Sequence, residues 1–408
     1  MIKYEIKKVF LKTGSKISIL ILLVLLAMTC RFAMGTEFID ESGVAQSGKA
    51  AVLKLKAAQK EWAGMLDEEK LKLVIEENGR INATPEEQSK DYRQNNIAYG
   101  WKQGFMEIRW LINYSFADHF RESDYYKIDS LKVEDMSQFY VNRIRLLKEW
   151  LEGNGRFSFS DAQKAYLIKQ YEDLETPFYY DYLEGWAQLF LYSPTVIMIT
   201  MLVLGYLLAG IFANEFTWKA DAIFFSSIYG RNKAVSAKIK AGFNITTVIY
   251  WAMMLLYSAV VLTYHGIDGW NCPVQVGRFG WKSFYNIKVW QEYLLIIAGG
   301  YVGCLFIAFL TMWVSAKTRS AVLSVMVPFV IIFIPSFLSN IDSNAVNKIL
   351  GLLPDRLLQV YDAVKYFDLY ELGGKVVGAI PILFVLYGVL SAVLIPVMYR
   401  EYRFKQIK

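Results

Sequence analysis

The chain has 408 residues, 55% of them hydrophobic, and a mean hydropathy of +0.26. Its apolar residues come in blocks long enough to cross a bilayer, which excludes an ordinary soluble domain and points to an integral membrane protein with one large water-exposed portion. The net charge of +6 is no nucleic-acid signal: the basic residues sit beside the apolar blocks, where a lipid bilayer would place them, and no nucleic-acid partner is expected.

Residues 1–16, "MIKYEIKKVFLKTGSK", put Lys3, Lys7, Lys8 and Lys12 on one side of a helix and Ile2, Ile6, Val9 and Phe10 on the other. This predicts an amphipathic helix on the inner membrane surface. A first span follows at 17–34. The rival reading is a signal peptide cleaved at Ala33-Met34-Gly35, which does not need so long and patterned a basic segment. Residues 35–187 are charged and lack long apolar runs. Val52, Leu55, Ala58, Trp62 and Met65, and again Val141, Ile144, Leu147 and Leu151, recur at helical steps, while Asn78–Arg80 and Asn154–Arg156 read as turns or helix stops. This predicts a mainly helical domain outside the membrane. It ends in "PFYYDYLEGW", where Tyr179, Tyr180, Tyr182 and Trp186 are expected to form an interfacial aromatic belt.

Five further spans are expected at 188–213, 241–264, 292–314, 321–341 and 376–398. Between them lie a charged loop at 214–240, an outer loop at 265–291, a short link at 315–320 and an outer segment at 342–375; a tail occupies 399–408. Gly299, Gly300 and Gly303 offer a small-residue face for close helix packing, and Pro328, Pro335 and Pro381 imply bends. The expected fold is all-α: a polytopic membrane protein with six transmembrane helices, an N-terminal interfacial helix and a helical extracytoplasmic domain. Lys and Arg concentrate in the N-terminal segment, in the 214–240 loop (Lys219, Arg231, Lys233, Lys238, Lys240), in "SAKTRS" and in the tail. The positive-inside rule then puts both termini in the cytoplasm of a multi-pass cell-membrane protein.

No catalytic constellation is visible. Cys30, Cys272 and Cys304 have no disulfide or metal-ligand spacing, and His119 and His265 are expected at surfaces or interfaces. No P-loop, GxSxG or HExxH occurs, so no enzyme activity and no cofactor are expected in this chain. The spans hold almost no Asp, Glu, Lys or Arg, which argues against an ion-coupled pathway or an intramembrane enzyme.

The 214–240 loop is longer and more aromatic than a turn requires. Glu215 lies just past the second span. Thr217 is a possible N-cap for a short helix over "WKADAIFFSSIY", with Ala220, Ile223 and Phe224 on one face and Lys219 and Asp221 pointing elsewhere. Gly230 is expected to end it as a left-handed cap, after which "RNKAVSAKIKAG" restarts a helix. Such a helix suits docking into a groove on a cytoplasmic partner, with aromatics for area and Arg or Lys for orientation. The plain alternative is a basic inner loop flanked by belt aromatics.

Glu215, "DAIFFSSIYGR" (Asp221–Arg231) and "AVSAKI" (Ala234–Ile239) together resemble the ABC-2 type permease family, in its Gram-positive branch with a long first outer loop. The end of that loop, the basic N-terminal helix and the six spans also match, so the resemblance covers nearly the whole chain. One departure is Lys219, where the family often has glycine four residues after the glutamate. The resemblance implies an ABC ATPase partner that binds ATP and Mg, a second permease half, identical or homologous, and a coupling helix between spans two and three. The coupling residues it implies are Glu215, Asp221, Ile223, Phe224, Tyr229, Gly230, Arg231 and Lys238. The implied function is export of an amphiphile such as an antimicrobial peptide, a lipid or a cell-wall molecule. The alternative is a sensor or force-transducing complex acting on an extracytoplasmic peptide, antibiotic or cell-wall enzyme without transport. A membrane enzyme or scaffold lacking an ATPase would leave the loop unexplained.

Overall fold

The computed structural model describes residues 1–338 and 344–404. Of the expected segments, 339–341 of the fifth span, 342–343 of the outer segment and 405–408 of the tail lie outside the described residues. The chain opens with α1 (Ile2–Phe10), whose Val9 is buried while Lys3, Lys7 and Lys8 are exposed, as the pattern requires. This helix is shorter than expected. Lys12 is extended, with φ −68° and ψ 134°, and Thr13–Lys16 already belong to α2 (Thr13–Ala33). The break lets the two helices take separate directions.

The region after the first apolar block is mainly helical, with α3 (Lys49–Glu61), α4 (Glu68–Asn82), α5 (Tyr92–Lys102), α6 (Met106–Ser115), α7 (Phe139–Glu152) and α8 (Asp161–Glu172). It departs from an all-α fold in two short antiparallel strand pairs, Glu37–Ile39 with Ala45–Ser47 and Gly64–Met65 with Tyr179–Tyr180. The Asp67 carboxylate caps α4 by accepting the Lys70 N–H at 2.9 Å, and Ser160 and Gln163 form a capping box on α8. Asn154–Arg156 is a turn after α7, but Asn78–Arg80 lies inside α4. There the buried Asn78 amide donates to Asp129 at 2.8 Å, a tertiary bond that local turn propensity does not anticipate. On α7, Leu147 and Leu151 are buried with Leu146 and Trp150, whereas Val141 is exposed.

The remaining helices are α9 (Glu184–Thr217), α10 (Asp221–Ser226), α11 (Lys233–His265), α12 (Val289–Thr318), α13 (Ala321–Leu338), α14 (Asn344–Leu350), α15 (Val360–Ala363) and α16 (Ala379–Arg403). Five helices, α2, α9, α11, α12 and α16, are long and apolar enough to cross a membrane, so the protein is multi-pass. The helix α13 is apolar and shorter. At the centre, α9 packs on α2, α11, α12 and α13. The helices outrun the apolar runs: α9 begins at Glu184 and ends at Thr217, and α11 begins at Lys233. Hydropathy marks only the apolar stretch of each helix, while the helix continues for as long as its polar ends find partners within the protein.

Gly300 takes the close approach its sequence suggested. A Cβ there would lie 2.5 Å from the Tyr250 hydroxyl and 2.7 Å from Ile197. A Cβ on Gly299 would meet Val360 at 2.6 Å, so the two glycines admit neighbours on different sides of α12. Pro381 falls in the first turn of α16, where no helical hydrogen bond is lost and no bend is required.

The portion at the other end of the bundle from α1 is built from three segments of sequence. Buried Arg143 on α7 donates to the carbonyls of Trp281 (3.0 Å) and Ser283 (2.9 Å). The Tyr171 hydroxyl donates to the Lys282 carbonyl at 2.6 Å, and the Gln163 amide to the Leu369 carbonyl at 3.2 Å. Leu369–Leu372 and Lys375–Gly378 form an antiparallel hairpin with Leu369 opposite Gly378. The expected aromatic belt is not one: Tyr180 and Tyr182 are fully buried, and the buried Trp186 indole donates to the Asp268 carbonyl at 2.9 Å. These rings fill the junction between the 36–186 region and the bundle, with Trp186 against the 265–291 loop, Tyr180 paired with Gly64 and Tyr182 under Lys56. His265 is also buried, its Nε2 lying 2.9 Å from the Ala33 carbonyl oxygen. All three cysteines are buried and free.

Candidate functional site

At the end of the bundle that carries both described chain ends, Lys238, Glu215 and Glu5 meet in a buried charged cluster, with the exposed Lys8 at its edge. Lys238, in the second turn of α11, is 1% exposed and Glu215, near the end of α9, is 4% exposed. The Lys238 ammonium donates to Glu215 Oε1 at 2.8 Å, to Glu5 Oε2 at 3.0 Å and to the Ile211 carbonyl at 2.7 Å. Three acceptors match the three protons of an ammonium, so the buried charge is fully satisfied. Lys8 closes the cluster at 3.0 Å from Glu5 and 3.3 Å from Glu215. Burial works against the Lys8 charge, but the two carboxylates outweigh it and raise its pKa above the ordinary lysine value. The N-terminal helix is thus pinned to the facing ends of α9 and α11 by charge.

The 218–232 loop hangs beside this cluster. Its helix, α10, is only six residues long and starts after Ala220. Thr217 is not its N-cap: it ends α9, and its hydroxyl donates back to the Ala213 carbonyl at 3.2 Å. Lys219 makes the corner between the two helices with φ +54°. That is the left-handed region glycine occupies most easily, so the lysine side chain here carries a backbone cost. Gly230 has a different role from the one expected. The helix ends at Ser226 with Ser227 extended, and Gly230 is not left-handed. It is needed because a Cβ there would lie 1.7 Å from the Phe224 carbonyl oxygen.

The loop has an anchored side and an open side. Phe225 is buried, with its ring 5.2 Å from that of Tyr402 and 6.0 Å from that of Phe216. Phe224 is half-buried; its ring sits 5.9 Å from Tyr402 and 5.5 Å below the Lys238 ammonium. Arg231 stacks on Phe225 at 5.0 Å and donates to the carbonyls of Phe225 (3.3 Å) and Arg403 (3.1 Å). The Tyr399 hydroxyl donates to Asn232 at 2.6 Å, and that of Tyr402 to the Phe212 carbonyl at 3.2 Å. So α16 holds the loop from behind. On the open side Ile223 is 77% exposed and Ile228 91% exposed, with Trp218 and Tyr229 about half exposed. Asp221, half-buried, opens α10.

Of the eight residues the sequence singled out, Glu215 and Lys238 pair directly, Phe224 lies beneath Lys238, and Arg231 and Gly230 shape the return of the loop. Ile223 and Tyr229 face outward. Glu5, Phe225, Ile228 and Tyr402 were missed. Glu5 is the one acid in a basic segment, which is a signal; Phe225 and Ile228 lie on or beside a helix too short for periodicity to assign a face. Among the described residues, no group of three or more His, Cys, Asp or Glu side chains is placed to hold a metal ion. No known family profile, curated protein or solved structure matches this chain.

Proposed function

We propose that the chain is the permease subunit of an ATP-binding cassette transporter, and that the 218–232 loop is where a separate ATPase subunit pushes on it. The observation that carries this reading is the two-sided loop. Exposed Ile223 and Ile228 form an apolar tip that needs a partner, while Phe225, Arg231 and Tyr402 tie the same loop to α16 and the Lys238 cluster ties its flanks to α1, α9 and α11. A tip that only bound would not need so firm a root; a tip that transmits force does. The partner supplies the ATP and Mg site. A second permease half, identical or homologous, completes the complex.

The topology follows from this reading. Both described ends of the chain lie at the loop's end of the bundle, through Glu5–Lys238 and Arg231–Arg403. An even number of crossings fits this placement and supports taking the shorter apolar helix α13 as the sixth span. The basic residues at that end favour the cytoplasm. Export of an amphiphile is the activity that a largely uncharged membrane interior suits best. A force-transducing role is favoured by one observation: the outer domain is clamped to the helix ends, with Arg278 on Glu184 at 3.2 Å and Trp186 on Asp268, so movement of α9 would reach it.

Reconstitution with the ATPase tests the proposal. Arg231→Ala and Glu215→Gln should preserve basal hydrolysis yet reduce substrate-stimulated hydrolysis about tenfold, the scale of a coupling free energy between sites. Full stimulation in both variants would refute the assignment.

A further inference from the structure

Between the three outer segments lies a cavity of about 500 Å³. Phe120 and Arg121 after α6, Trp281 and Lys282 before α12, and Lys365 and Phe367 after α15 contribute to its walls. Three of its lining residues are basic, and Asp362 alone is acidic. Two of the bases are held in apolar surroundings. The Lys282 ammonium lies 5.5 Å from the Tyr114 ring and 5.7 Å from that of Phe120. Burial, and secondarily Arg121, lower its pKa to about 8. The Lys365 ammonium stands over the Tyr361 ring, buried and without a hydrogen-bond partner. An ammonium so placed is costly: burial lowers the Lys365 pKa to about 7 against the pull of Glu292 and Asp362, and an anion beside it would favour its charged form.

The rim carries apolar surface. Phe279 is 62% exposed at φ +60°, and Tyr366 is 61% exposed. A bulky ring in left-handed backbone is strained, and such strain persists where the surroundings impose it. Cations within aromatic walls suit a ligand with an acidic group and a flat or acyl body. We propose that this cavity binds a small anionic amphiphile, whose phosphate or carboxylate meets Arg121, Lys282 and Lys365 while its body lies on Phe120, Trp281 and Phe367. The volume fits a headgroup or a small molecule and is far below that of a folded domain. Two sources share this chemistry. Tyr361, beneath Lys365, packs 5.6 Å from Phe190 of α9, so the cavity floor reaches the top of the bundle, within range of lipid headgroups. A soluble molecule could enter from the open side. The inference stands apart from the coupling reading, since binding requires no ATPase.

The full chain in phosphatidylcholine discs is titrated with dihexanoyl phosphatidylglycerol, with 1-naphthyl phosphate and with dihexanoyl phosphatidylcholine, and bound probe is counted by native mass spectrometry. Saturable binding of at least one anionic probe is expected, with the zwitterionic probe about tenfold weaker or more. Arg121→Gln, at the exposed rim, should weaken binding about tenfold, and Arg121→Gln/Lys282→Gln/Lys365→Gln about a hundredfold, while exposed Lys90→Gln leaves it unchanged. Tighter phosphatidylglycerol identifies a lipid source, and tighter naphthyl phosphate a soluble one. The proposal is overturned if neither anionic probe saturates by millimolar concentration, if the zwitterionic probe binds equally, or if folded Arg121→Gln binds like the wild type. Should the triple variant fail to fold, Arg121→Gln alone decides.

Discussion

Lys238 is a charge that α11 keeps only because three acceptors surround it. Removing a buried ion's partners, or the ion itself, leaves the others stranded at a cost of about 3–5 kcal/mol. Lys238→Met should therefore lower the thermal midpoint of the purified chain clearly, whereas Lys240→Met, on the exposed side of the same turn, should not. Lys219 works the other way. Its φ of +54° is unfavourable for any side chain, so Lys219→Gly should be neutral to stabilising by up to about 1 kcal/mol, and a loss of stability would show that the lysine side chain has a role of its own. Lys282 adds a pH dependence. Its pKa is about 8 in the fold against 10.5 for an ordinary lysine, so above pH 8 the unfolded chain holds more protons than the folded one and stability rises with pH up to about 10.5. The gap between wild type and Lys282→Met should move in that direction across pH 8–10 in a melting series; a flat difference would contradict the shift. At this scale the sequence was informative about which residues are unusual and silent about whom they meet. Lys238 and Glu215 stood out through the family resemblance, but nothing local shows that Glu5, far from both along the chain, completes their cluster.

Elements were legible wherever an apolar run or a clear period marked them. The amphipathic face of α1, the long apolar helices, and α3 and α7 of the charged region were readable from spacing, whereas α4, α5, α6 and α8 were not individually marked. What was lost was the extent of each element. Lys12, extended, ends α1 early, and Asn78 keeps α4 going through a stretch that reads as a turn. Both outcomes depend on tertiary partners that local propensity cannot include. The loop helix shows the same limit. With six residues α10 has no stable periodicity of its own, and its position depends on Phe225 against Tyr402 and on the space left by Gly230. Tyr180 and Tyr182 read as belt residues because they adjoin an apolar run, yet Tyr180 pairs with Gly64 and Tyr182 lies under Lys56, and both are core.

On the scale of the whole molecule, the chain is a bundle with a composite head at one end and a rooted, apolar-tipped loop at the other. The head is assembled from segments around 36–186, 265–291 and 344–375, joined by contacts such as Arg143 to the Trp281 and Ser283 carbonyls. The two ends are joined by α9, which runs unbroken from Glu184, paired with Arg278, to Glu215, paired with Lys238. Work done on the loop thus has a continuous helix along which to reach the head. This account needs an ATPase that grips the tip. The measurement that bears on it most directly is ATP hydrolysis by the tagged chain purified from its native membrane in mild detergent, compared with Ile223→Arg/Ile228→Arg. An ATP-hydrolysing subunit should copurify with the wild type and be lost from the double variant, whose melting midpoint stays unchanged because both side chains are exposed. Hydrolysis that is absent from the wild type, or equal in the two preparations, would contradict the account.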